Sequence, residues 1–422
     1  MRRRPGRSVI TCCLATASVS NHCLFQNFNH NPMDAVLVPS PSFSTTSAPV
    51  KLASLSSNSQ AYVISIAPLP TFYATSASAP SNTIDLFDKN TLLGVQTLPG
   101  HETGTTSLRS IESIANVSRP CLISSGLDGS IQVWDERANS YSIKMTNLGQ
   151  ARALLCCDVS QDGLTVAGGT QLQGEDAHIV YWDPRQPAAP LRTHSSTHSD
   201  DVTVLRFSPD ASNILLSAST DGLISTSTAN EDDEDEAVVH VGAWNTSVSQ
   251  ADWIHSPSGA RIWASSDMET FSTWSDELDL LQTQDIRAPS LHNHAQHEWL
   301  TDYLISCHSS STSDFKVFVG SNQGDVALLT NPNLAVPAAP WSLCSTWTTG
   351  HTGIVRSLLW DEQNELLLTG GEDGKINAWK IPASSTGQTT DTAMDLDPSP
   401  LRKREKRDMD WEDEHEGKRA RR

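Results

Sequence analysis

No apolar run in this 422-residue chain approaches the roughly 20 residues that a membrane-crossing helix needs. The eight cysteines, at positions 12, 13, 23, 121, 156, 157, 307 and 344, contain no C-x-x-C pair and no framework of spacings. Buried free thiols in a reducing compartment are expected instead. Cys156 and Cys157 adjoin in an expected strand, which sends their side chains to opposite faces. Catalytic signatures are missing as well: no H-E-x-x-H, no phosphate-cradling glycine loop and no Ser-His-Asp order. Neither enzymatic activity nor a cofactor is expected. Basic charge is scarce in the body of the chain, where residues 33–380 hold 39 acidic and 16 basic side chains. Direct binding to nucleic acid needs a basic face and is not expected on that balance. An acidic body suits a basic protein partner, such as a histone or ribosomal-protein segment, or is simply a soluble surface.

What the chain does have is a repeated unit, clearest at residues 343–380, LCSTWTTGHTGIVRSLLWDEQNELLLTGGEDGKINAWK. Gly350 and His351 precede an apolar strand, LLLTGG follows, and Asp373-Gly374 forms a tight turn before a strand ending in Trp379. Asp-Gly between alternating strands is a strong hairpin signal, because such a turn wants positive φ. The unit resembles a WD repeat, the four-stranded blade of a β-propeller. That resemblance implies a buried hydrogen-bonded chain of His351, Thr369, Asp373 and Trp379. A second complete set is His101, Ser124, Asp128 and Trp134, with the same spacing from Asp to Trp. Such a network stabilises only when every member is satisfied, so a full set at the right offsets is informative.

Phase places the remaining blades of a seven-bladed, all-β propeller over residues 50–382. The last repeat stops after its third strand, so its fourth is expected from VKLASLSS, residues 50–57, which would close the ring and hide two sheet edges. Blade one carries Phe87 where Trp is usual. Blade two is the second full set. Blade three keeps the Asp176-to-Trp182 offset, has Gln150 in place of His, and lengthens the turn between its second and third strands at 171–177. Blade four pairs His198 with Asp221 but has Ser227 for the Trp. Blade five ends on Trp274, and blade six has Gln323 and Leu329 in place of Asp and Trp. Reading blade one or six differently would leave six blades. Residues 1–49 are expected to be a disordered leader. Within it, residues 1–32 carry four Arg and no acid, which fits a mitochondrial targeting segment, a weak secretory signal, plain disorder, or sequence ahead of a true start at Met33.

A narrower resemblance, to the family of WD repeat-containing protein 89, rests on GTQLQGEDAHIVYWDPR, SSDMETFSTW and GGEDGKINAWK. It implies a propeller scaffold with no catalytic residues. Several features remain for function. His292, His294 and His297 have a spacing that could hold a metal but fall in a connection between blades, and no metal site is expected there. WDER and WDPR place Arg137 and Arg185 after the third strands of consecutive blades, with Arg287 in DIR a weaker third case. Paired WD-x-R motifs resemble those of propellers that dock on the adaptor of cullin-4-type ubiquitin ligases, while an Arg there also commonly pairs with its neighbouring Asp at the surface. The block EDDEDE at 231–236 is expected to be a mobile, solvated loop that can meet basic partners.

The segment 383–422 reads as a disordered charged tail. Lys406-Arg407, then Lys418, Arg419, Arg421 and Arg422, resembles a bipartite nuclear localisation signal for an import receptor. The expectation is a nuclear, non-catalytic scaffold for protein–protein interaction, a monomeric propeller within a larger complex, with neither nucleic acid nor membrane as direct partner. The alternative is a substrate receptor of a ubiquitin ligase through Arg137 and Arg185.

Overall fold

Alternating apolar and polar residues, cut by tight turns, fold each repeat into an antiparallel meander of four strands. The computed structural model describes residues 37–382 apart from 57–59, 139, 148–150, 176, 256–260, 290, 295–296, 311–312 and 337–338. Two N-terminal strands come first, β1 (Leu37–Thr46) and β2 (Lys51–Ser54). Seven blades follow. From inner to outer strand, blade one is Val63–Pro68, Phe72–Ala77, Ile84–Asp88 and Gly94–Leu98. Blade two is Thr105–Ile111, Cys121–Gly126, Ser130–Trp134 and Tyr141–Thr146. Blade three is Leu154–Val159, Val166–Thr170, Ile179–Trp182 and Arg192–His194. Blade four is Val202–Phe207, Ile214–Ser219, Leu223–Thr228 and Val238–Ala243. Blade five is Val248–Trp253, Ile262–Ser266, Thr270–Trp274 and Leu280–Asp285. Blade six is Tyr303–Ser310, Ser313–Gly320, Val326–Thr330 and Trp341–Trp347. Blade seven is Val355–Asp361, Leu366–Gly371 and Lys375–Lys380, completed by β2.

The expected clasp is present, with β2 antiparallel to the last strand and Lys51 opposite Ala378. Val50 and Leu55 extend it by donating to the carbonyls of Ala378 and Gly374. The expected leader needs correcting. Residues 37–46 are not disordered but form β1, a parallel fifth strand on the outer edge of blade six. Its Ser, Thr and Pro content reads as a linker, and only the edge offered by Trp341–Trp347 makes it a strand.

Seven apolar clusters fill the seven interfaces between neighbouring blades. In five blades a third-strand aromatic packs back against the preceding blade. Trp134, Trp182, Trp274 and Trp379 do this at four interfaces, and Phe87 at the ring closure between blades seven and one. Where the Trp is missing, a neighbour supplies the volume. At the interface of blades five and six, Trp263, Phe271, Phe315 and Trp341 surround Leu329. At the interface of blades three and four, Ser227 is faced by Tyr181 from the third strand of blade three, fully buried with its ring end against Ser227. The corresponding residues of blades two and seven are the smaller Val133 and Ala378.

That reciprocity generates a prediction. Tyr181→Ala should destabilise the chain by about 3–5 kcal/mol, the usual cost of removing a buried aromatic. Ser227→Trp alone should overpack the interface and destabilise as well. Combined, the two changes should recover stability relative to either alone in denaturant titrations; purely additive losses would show that the two side chains do not share one space.

Candidate functional site

The polar chains implied by the repeats assemble in full in blades two and seven and in part in blade four. In blade two, His101 Nδ1 lies 3.0 Å from Asp128 Oδ1, its Nε2 lies 2.8 Å from Ser124 Oγ, and Trp134 Nε1 donates to that same oxygen at 2.8 Å. In blade seven, the same three contacts join His351 to Asp373 at 3.0 Å, His351 to Thr369 at 2.8 Å and Trp379 to Thr369 at 3.0 Å. Blade four keeps His198 with Ser217 at 2.8 Å and with Asp221 at 3.3 Å, despite lacking the Trp. Blade five substitutes a bond within its own strand, Trp274 Nε1 to Ser272 Oγ at 2.9 Å. Gln150 and Asp176 of blade three lie outside the described residues. These networks are buried fixtures of the scaffold rather than a reactive site.

Arg137 and Arg185 stand where the repeat spacing puts them, and each is engaged by its own Asp. Arg137 donates through its backbone N–H and guanidinium to Asp135, which Arg119 also meets. Arg185 grips Asp183 with Nε at 2.8 Å and Nη2 at 2.7 Å, and Arg287 grips Asp285 alike. Hydrogen bonding to Arg185 holds the Asp183 carboxyl below its ordinary range. His292, His294 and His297 fall on a two-stranded hairpin, Leu291–His294 and His297–Trp299, whose side chains in this region are outside the described set. Among the described residues no group of three or more metal-binding side chains converges. Lys406, Arg407, Lys418, Arg419, Arg421 and Arg422 also lie outside the described residues.

The acidic block departs in part from its expectation. Asp232, Asp233, Asp235 and Glu236 are exposed as expected, but part of the block forms a short helix, Glu234–Ala237, capped by Asp233, and Asp232 and Glu234 are bonded to neighbouring residues. Glu234 accepts from the backbone N–H of Ser195, Ser196 and Thr197 at 2.7–2.8 Å and from the Thr197 hydroxyl at 2.6 Å. Arg192 pairs with Asp232 at 2.6 Å. The block thus braces blade four against the short outer strand of blade three. Burial would raise the Glu234 carboxyl, but these donors together hold it below its ordinary value.

Sequence reading also missed a polar ring on the first strands. Each first strand has a ladder irregularity near its start, and counting four residues from it gives Ala67, Arg109, Asp158, Arg206, Asp252, His308 and Leu359. Charge alternates through the middle four. Arg109 lies 3.5 Å from Asp158, Asp158 accepts from the Phe207 N–H at 2.7 Å, and Arg206 bonds Asp252 at 3.0 Å. Neighbouring blades are thereby stapled from two through five. The signal was one residue per blade, visible only once the inner strands are in register.

A cleft of about 460 Å³ opens across blades five, six and seven. Asp267 and Glu269 reach it from the turn of blade five, Asp302 and Tyr303 from the start of blade six, and Arg356 from blade seven. Glu269 has φ +61°, where the matching turns of blades two, four, six and seven have glycine, at Gly129, Gly222, Gly324 and Gly374. A side chain in that left-handed region costs about 1 kcal/mol. Its carboxylate accepts from the Leu304 N–H at 2.8 Å, and burial pushes it above its ordinary value. Asp302 accepts from the Asn322 N–H at 2.7 Å, Asp267 is exposed, and the Arg356 guanidinium is already held by Glu372 at 2.9 Å. The cleft therefore presents carboxylates beside an Arg356 that is already paired, and Arg287, whose charge acts on Glu269, is held by Asp285. A second cleft, of about 490 Å³, opens on the other face beside Leu69, Trp360 and Glu362 and has mixed charge.

The repeats meet their match in known proteins. The WD domain, G-beta repeat family matches residues 94–135, 189–225 and 341–380. An uncharacterized WD repeat-containing protein of Saccharomyces cerevisiae is 30% identical over 311 residues, 70% of this chain and 73% of that protein. This chain is a WD-repeat protein. WD repeat-containing protein GTS1 of Arabidopsis thaliana is 28% identical, over 82% of this chain and 88% of its own length. The WD repeat-containing protein 89 homolog of Dictyostelium discoideum is 26% identical, over 77% and 84%. In fold, the chain is similar to the crystal structure of the computationally designed Ika8 protein, with TM-score 0.55, 18% identity, and coverage of 78% of this chain and 98% of that one. WD-repeat propellers are generally non-catalytic platforms for protein interaction, and this chain shares that architecture.

The blade-seven network carries a pH signature. Burial is the largest influence on Asp373 and pushes its carboxyl up. The hydrogen bond and charge of His351, with the N–H groups of Thr352 and Lys375, outweigh it and lower the pKa from 3.8 to about 2. A carboxyl depressed on folding stabilises above its unfolded value, and that contribution is lost as pH falls from about 4 toward 2. Asp373→Asn should therefore cost about 2 kcal/mol at neutral pH and less with each step below pH 4. A penalty that stays constant down to pH 2 in denaturant titrations would contradict the assignment.

Proposed function

We propose that this WD-repeat protein is a nuclear, non-catalytic scaffold that holds basic protein segments, and that the cleft across blades five to seven receives them. One observation carries the reading: Asp267, Glu269 and Asp302 converge on a cleft whose Arg356 is already paired with Glu372. The strained backbone at Glu269 supports it, since a costly conformation persists where the surroundings or a function require that side chain. A lysine or arginine entering the cleft would meet carboxylates in a partly desolvated setting, where pairing is worth more than at an open surface. Chromatin and ribosome-assembly factors supply segments of that chemistry.

The probe is a fluorescent twelve-residue Lys/Arg-rich peptide, compared with the same peptide carrying Glu at each basic position. Anisotropy should show salt-dependent binding of the first only. Asp267→Asn combined with Asp302→Asn should weaken it about tenfold and flatten its salt dependence. Undiminished binding by that double variant would overturn the cleft as the site.

Nuclear entry is assigned to Lys406, Arg407, Lys418, Arg419, Arg421 and Arg422 acting on an import receptor. A fluorescent fusion should concentrate in the nucleus, and truncation before Lys406 should release it to the cytoplasm; an unchanged nuclear signal after truncation would remove this assignment. The ligase-receptor alternative depends on Arg137 and Arg185, both of which bond Asp residues of their own strand ends. Recovery of the ligase adaptor with the native chain, lost on Arg137→Ala with Arg185→Ala, would decide for it.

A further inference from the structure

β1 is an unusual strand for its place. The ring is already closed by β2, and blade six already has four strands of its own. Among the described residues, the outer edges of the other six blades carry no fifth strand. β1 pairs parallel in an otherwise antiparallel blade, in two patches of three residues. Leu37, Val38 and Pro39 lie opposite Trp341, Ser342 and Leu343, and Ser44, Thr45 and Thr46 opposite Ser345, Thr346 and Trp347. Residues 40–43 leave the ladder between them, and Pro39 and Pro41 have no N–H to give. Parallel pairing is the weaker kind per residue, and here it is interrupted.

What fixes β1 is side-chain docking. Leu37 is buried in the cluster that holds Trp341, Leu343 and Leu329, and Phe43 packs against the same cluster. Ser44 and Thr45 meet Ser345 and Thr346 through their hydroxyls at 3.1 and 2.9 Å. The edge therefore already recognises an extended segment by an apolar residue, a second one six positions on, and small hydroxyl residues after it.

We propose that the outer edge of Trp341–Trp347 is a strand-acceptor site, held in cis by β1 and taken in trans by an extended segment of a partner protein with that pattern of anchors. Main-chain bonding to an exposed edge supplies affinity for such a segment, and the pockets for alternate side chains supply choice. β1 acts as the competitor that the partner displaces. This site is separate from the acidic cleft and does not depend on it.

The test uses a fluorescein-labelled peptide, LVPSPSFSTTS, the sequence of residues 37–47. Three proteins are compared by anisotropy: the full chain, the full chain with Leu37→Asp, and the chain begun at residue 48. The two opened proteins should bind the peptide at least tenfold more tightly than the intact chain does. A peptide with Asp in place of its first Leu should not bind, and hydrogen exchange at 341–347 should slow when the parent peptide is added. Equal binding by all three proteins, or no binding by the opened ones while their melting is unchanged, would overturn the proposal. Loss of folding in both opened proteins would also overturn it, by making β1 an obligatory part of blade six.

Discussion

Each blade can shelter its two apolar faces only against its neighbours, so the structure depends on closing the ring. Seven blades give seven interfaces, each with its own cluster, and no interface is spare. The closure is made by residues far apart in sequence. β2 lies on Lys375–Lys380, Tyr73 donates to Asp361 at 2.7 Å, and Ser357 reaches the Val63 carbonyl. A clasp between the two ends of the chain confers no local advantage during folding; it is rewarded only when all seven sheets stand side by side.

The polar chains of His, Ser or Thr, Asp and Trp secure single blades, and the variation among them shows how the ring tolerates their loss. Blade four keeps its His198 network without a Trp because Tyr181 fills the interface from the other side. Blade six has Leu329 where the third-strand Trp would stand, and Trp263, Phe271, Trp299, Phe315 and Trp341 pack its boundary with blade five. The constraint is therefore volume at each interface, with the hydrogen-bonded chain as one way of placing a large aromatic there.

Legibility followed the same division. Blades two and seven could be read because the whole network sits within one repeat, at fixed offsets from Asp128 and Asp373. β2 could be read from phase, since a blade of three strands demanded a fourth. β1 could not, because Ser, Thr and two Pro carry no strand signal and the edge that recruits it is 300 residues away in sequence. The ring of Arg109, Asp158, Arg206 and Asp252 escaped for a related reason: each member is an ordinary charged residue in its own strand, and only register brings them level. The acidic block looked free because composition cannot show that Ser195, Ser196 and Thr197 turn their N–H groups toward Glu234.

Excess negative charge has to be accommodated before it can be used. Much of it is consumed locally: Asp183 and Asp285 by the Arg two residues on, Glu234 by backbone donors, Asp158 and Asp252 by the inner-strand arginines. The arginine-paired carboxylates are neutralised in place and add little to the outward field, while Glu234 stays charged but is held by its donors. The cleft differs because its acids come from separate blades and its arginine is already committed to Glu372. Glu269 is held there at positive φ, in a position that glycine occupies in four other turns, and burial raises its carboxyl. Strain and desolvation both work against that side chain in the isolated molecule, and an incoming cation would relieve the second of them.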